Sequence, residues 1–210
     1  KGGVQVEYGL QIDAPEYNFS TPQFSTPLTL RIGVTDGVEI RSYTSTFTTS
    51  KMNLLNANGT TTSSENLTQE FLTSPGVQAK IKLYSPESTN MAISILGDVG
   101  TSSSGSILLV DFWKDKWSYW TNMGTLFTYP HNDTSLRTDF LLLAGVGYTL
   151  PNAQGLFIES SSIVSNSINL TIESGYTKML GSTQVDLYAL KDLTQDDAWQ
   201  VAMGFAYRFR

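Results

Sequence analysis

The one histidine of the chain, His131, lies in YPHNDTS with Asp133 and Ser135 close behind it, the three residue types of an acyl-transfer triad. A triad is assembled from positions far apart in sequence, whereas these three share one short segment. We read it as a polar surface loop and expect no catalytic residue. Asp192, Asp196 and Asp197 in KDLTQDD offer the oxygen ligands that suit calcium. A solvated loop accounts for the same run, and no metal site is expected. No glycine-rich loop follows a strand and opens a helix, so no nucleotide cofactor is expected either. What remains is a set of charges with a period: Glu7, Arg31, Glu39, Arg41, Lys80, Lys82, Asp139, Glu159, Glu173, Asp186 and Arg208. Each sits in a stretch where bulky apolar residues alternate with small or polar ones. Charges so placed can line a polar lumen, or they can neutralise one another as a lattice that plugs it, because buried charges must be paired.

The alternation defines the elements that carry them. In AWQVAMGFAYRFR, Trp199, Val201, Met203, Phe205, Tyr207 and Phe209 fall on one face of a strand, with Gln200, Ala202, Gly204, Ala206 and Arg208 on the other. The first strand, Val4 to Ile12, repeats the pattern with Glu7 on its polar face. Between them we read Phe24 to Val34, Val38 to Phe47, Val77 to Tyr84, Met91 to Gly97, Ser106 to Trp113, Trp117 to Tyr129, Asp139 to Leu150, Leu156 to Ile163, Ile168 to Thr177 and Thr183 to Leu190, about twelve strands in all. Their lengths suit tilted membrane-crossing strands of about 9 to 11 residues.

The links fall into two sets. Those after even-numbered strands are short, with Asp36-Gly37 expected to supply the positive φ of a tight hairpin. Links after odd-numbered strands are longer and rich in Ser, Thr, Asn and Asp, the longest running from Thr48 to Gly76; only the one after the ninth strand is short. Tight turns at one end and long loops at the other belong to outer-membrane barrels, and an even strand count puts both termini on the periplasmic side. Trp117, Tyr207 and Phe209 then form a girdle at the periplasmic rim, and Tyr129 and Trp199 one at the outer rim.

Composition agrees. Charged residues are only 15% of the 210, below the roughly 25% of soluble domains, as expected when one face of every strand meets lipid. A net charge of -6 argues against a nucleic-acid partner, and the absence of cysteine excludes disulfides and thiolate metal sites. The longest apolar run, Phe140 to Leu150, falls well short of the roughly 20 residues of a membrane helix. An opening at Lys1 without an apolar signal segment matches the expectation for a processed, exported protein.

PLTLRIGVTDGVEIR (Pro27 to Arg41) resembles the second hairpin of the outer-membrane transporters grouped as the MetA-pathway of phenol degradation family. GLFIES (Gly155 to Ser160) and VDLYALKDLTQDDAWQVAMGFAYRF (Val185 to Phe209) are similar to later stretches of the same family, in the same order. The resemblance implies a single outer-membrane barrel with a transport role, and the family name points to aromatic solutes. GFAYRFR resembles the terminal Gly-x-x-aromatic-x-aromatic signal for outer-membrane insertion, departing from it at Arg210 and Ala202.

We therefore expect an all-β, transmembrane, antiparallel up-and-down barrel in the bacterial outer membrane. It would act as a passive channel for small solutes, aromatic or otherwise, through a constriction made by the inward charges. The alternative is a closed barrel serving as anchor or subunit of an envelope complex, with the Thr48 to Gly76 loop on the partner.

Overall fold

In the computed structural model, residues 2–14, 23–49, 68–86, 88–101, 103–128, 136–165, 167–194 and 199–209 are described. They form thirteen strands: β1 (Val4–Ala14), β2 (Gln23–Ser25), β3 (Leu28–Gly33), β4 (Val38–Thr49), β5 (Thr68–Tyr84), β6 (Met91–Gly100), β7 (Ser103–Lys114), β8 (Trp117–Thr128), β9 (Arg137–Leu150), β10 (Gln154–Val164), β11 (Ile168–Leu180), β12 (Thr183–Asp192) and β13 (Trp199–Phe209). No helix is present among the described residues. β2 and β3 both pair with β1 and with β4, so they are two halves of one stave. The break falls at Thr26-Pro27, where proline has no N–H to give the ladder, while its carbonyl accepts the Gly9 N–H at 2.9 Å. Counting that pair once gives twelve staves, all antiparallel, each bonded to its neighbours in the chain, and β13 closes on β1 from Val4↔Phe209 to Ala14↔Trp199.

The side-chain period of two sorts every stave into an inner and an outer face. Outward stand Leu10, Ile32, Ile81, Val99, Leu142, Ile158, Leu187 and Val201, all exposed and in places extremely so, with Val99 at 66%. The closed ring holds no apolar core: among the described residues only Leu96 and Ala202 are buried hydrophobics. Such a distribution inverts that of a soluble sandwich, whose large side chains meet between two sheets. An exterior band of this kind is stable against hydrocarbon, and ring closure leaves no unpaired strand edge in it.

Aromatic rings gather at the end that carries the short turns. Trp117 lies 4.7 Å from Tyr148 and 6.4 Å from Tyr119, and Tyr207 lies 4.7 Å from Phe209. Trp199 stands exposed at the opposite end, with the Lys191 ammonium 4.9 Å above its ring. Tyr129 lies outside the described residues.

The turns correct some of the expectations. Asp115, Asn152, Ala153 and Gly181 hold positive φ in the links after β7, β9 and β11. Asp36 and Gly37 do not: Val34 to Gly37 form a four-residue link in which the Val34 and Thr35 N–H groups both donate to the Val38 carbonyl. The longer loop needs no mirror-image turn. Residues 101–102 alone join β6 to β7, so that connection is short rather than long. The segment read as one loop from Thr48 to Gly76 is strand at both ends, β4 reaching Thr49 and β5 beginning at Thr68; residues 50–67 lie outside the described ones. β1 and β13 begin and end beside the Val34 to Gly37 link, so both chain ends sit with the short turns.

Candidate functional site: the lumen

The inner face carries the predicted charges, and the structure divides them between two walls. On β1, β3 and β4, Arg31 is held between two carboxylates, its Nη1 donating to Glu7 at 2.6 Å and its Nε to Glu39 at 3.0 Å. Arg41 Nε donates to the same Glu39 oxygen at 2.6 Å. The tight β3–β4 pairing sets Arg31 opposite Arg41, and Glu39 between them cancels the repulsion of two adjacent guanidinium groups. Lys80 and Lys82 continue this wall on β5, around a pocket of about 270 Å³ that Asp111 also lines.

Glu159, Glu173 and Asp186 stand on β10, β11 and β12. Going round the ring in either direction, β10 is six staves from β4, so Glu159 lies on the wall facing Arg41. Glu159 and Glu173 are direct cross-strand neighbours. The Trp120 indole N–H donates to Glu159 at 2.6 Å, and the Gln184 side chain donates to Asp186 at 2.9 Å. Two predicted members lie apart. Asp139, 7% exposed, accepts from Arg137 Nε at 2.8 Å towards the long-loop end, and Arg208 donates to Gln5 at 3.2 Å at the short-turn rim. Asp192 accepts from the Thr194 N–H and hydroxyl in an exposed turn. Asp196, Asp197 and His131 with its neighbours lie outside the described residues.

Sequence reasoning missed the inward aromatic rings. Trp120 is directly opposite Gly145, which is opposite Glu159; the indole lies flat across β9, and a Cβ at Gly145 would overlap it. Phe157 covers Gly175 in the same way, and Tyr43 covers Gly76 and donates to Asp98 at 3.3 Å. Each ring leans towards the next strand in the chain. Because the glycines have no side chains, rings as large as Trp120 lie against the wall instead of crossing the bore. Ile107, Leu109, Leu141 and Leu143 also take the inner phase of β7 and β9, since they alternate with Phe112 and Tyr148 on the outer one. A pairing of aromatic with glycine in register is the signal that finds such rings, and it becomes visible only once the register is known.

Gly145→Val is expected to push Trp120 off the wall, break its bond to Glu159 and lower stability by about 1 to 3 kcal/mol. Gly97→Val, at a position with nothing within 4 Å of a new Cβ, should be neutral. Urea unfolding of the two variants in detergent compares them directly.

A closed antiparallel ring with an apolar outside and a charged inside is a transmembrane β-barrel. No protein-family model matches the chain, and no curated protein matches its sequence. Solved structures do match its fold. The structure described as "KdgM porin" aligns with a TM-score of 0.63 at 11% identity, covering 98% of this chain and 99% of that one. That of the NanC porin aligns at 0.69 and 6% identity, covering 96% and 98%. The COG4313 outer membrane channel from Pseudomonas putida F1 aligns at 0.69 and 11% identity, covering 99% and 96%.

Proposed function

We propose that the chain is a passive channel of the bacterial outer membrane for small solutes, with the short turns and both termini on the periplasmic side. The observation that carries this reading is open space within the lumen: cavities of about 600, 300 and 410 Å³ adjoin one another along its wall. A plugging lattice would have filled them with side chains. The fold neighbours support the reading, being described as porins and an outer membrane channel, one of them in complex with disordered oligogalacturonate. We also infer membership of the MetA-pathway of phenol degradation family, on the order of the resembling hairpins.

Purified protein in planar lipid bilayers should give discrete conductance steps in simple salt. Insertion without any step would reject the channel and leave the barrel as an anchor.

A further inference from the structure

Three open spaces succeed one another on one side of the lumen. The first, about 600 Å³, is lined by Trp120, Phe157, Glu159 and Glu173, and it shares Gln184, Asp186 and Tyr188 with the second, of about 300 Å³. A third, about 410 Å³, meets both at Gln184 and reaches Arg208 at the short-turn rim. The room exists because β13 presents Ala202, Gly204 and Ala206 to the lumen. Glu7 and Arg31 line the second space, and Arg31 the third also, as a pair that neutralises itself; across the ring, on β6, Ser94 is 3% exposed and Leu96 7%. The pocket by Lys80 and Lys82 shares no lining residue with the three spaces.

The charges lining the three spaces are only partly paired. Arg31 is neutralised by Glu7 and Glu39. Glu159 and Asp186 accept hydrogen bonds from neutral groups, and among the described residues neither they nor Glu173 forms an ion pair. A solute moving along the open side therefore meets Glu159, Glu173 and Asp186, which have no ion-pair partner among the described residues, together with the self-neutralising Arg31 and Glu7, before it reaches Arg208. Fixed negative charge on a narrow path favours cations over anions.

We infer that the permeation path is off-axis, running against β12 and β13 past Gln184 and Asp186, that it prefers small cations, and that Asp186 is a residue setting this preference. The inference rests on the channel reading above. Its test uses the full chain in planar bilayers with a potassium chloride gradient. Gly204→Phe places a ring in the path, and a Cβ there meets nothing closer than 3.7 Å. Conductance should fall by about threefold or more in this variant, while Ala92→Phe, on β6 facing β12, should stay within about a fifth of wild type. Asp186→Asn keeps the shape and the bond from Gln184 and should move the reversal potential towards anions. Should Gly204→Phe fail to assemble, Gly204→Met carries the same test. Equal losses from Gly204→Phe and Ala92→Phe would return the path to the axis, and an unchanged reversal potential in a conducting Asp186→Asn would remove Asp186 from it. A wild type that never conducts fails the channel reading itself; a conducting one unaffected at Gly204 fails the path alone.

Discussion

Leu187→Arg should cost the barrel about 2 to 4 kcal/mol and impair its assembly, the penalty for a cation on the lipid face near the bilayer midplane. Leu187 lies in mid-β12, 49% exposed, with Tyr176 and Met203 as its register partners on either side. All three face outward, so a guanidinium there has no partner and too short a reach to water from the middle of the span. One residue away the face changes: Gly204→Ser on β13, turned into the lumen, should be nearly neutral, since a Cβ there makes only ordinary contact with Asp186. Folding yields into liposomes, with urea midpoints for whatever folds, compare the two. Equal yields for Leu187→Arg and wild type would reverse the assignment of inside and outside.

Arg31→Ala removes the residue whose side chain, among the described residues, ties β1 to β4 across β3. Glu7 is left with the Gln5 amide, and Glu39 with Arg41. Breaking a fully buried pair costs about 3 to 5 kcal/mol, and with Arg31 24% exposed a loss of about 1 to 3 is expected. Two carboxylates freed of their shared cation should also move the reversal potential further towards cations. Selectivity and thermal midpoint measured on the same preparation separate the two effects. A conducting variant with both quantities unchanged would place Arg31 away from the ions and from the structural network alike.

The staves were legible in the sequence because a strand's period of two is a local property, and most of the segments that became staves between Val4 and Phe209 display it. Lengths came out less well where the pattern fades. TQEFLTSPG, at the start of β5, has no clean alternation and contains Pro75, yet it pairs with β4 across register shifts. Facing was harder still. Equating bulky with outward holds for Leu187 and Phe205, but it misplaces Trp120, Phe157 and Tyr43, whose inward position depends on a glycine in another strand. SILLVDFW, in β7, is bulky on both faces, and only its neighbours decide that Leu108 points out and Leu109 in. The charges were found by type and phase, while their division into two walls follows from strand order around a closed ring, which no single segment contains.

The seam between β1 and β13 has a bearing on how the molecule comes into being. Among the described residues, every other pairing joins staves consecutive in the chain, so each can form as a hairpin grows. The seam alone unites opposite ends of the sequence, Val4 with Phe209. Distant pairing of this kind is slow, because the ends must find each other before any contact rewards the search. Until they do, the sheet has two bare edges, and hydrocarbon offers their N–H and C=O groups no substitute for water. Closure is then the last event and the committing one. A chain that lost only its final strand would remain an open ribbon, with no membrane-stable state between ribbon and ring.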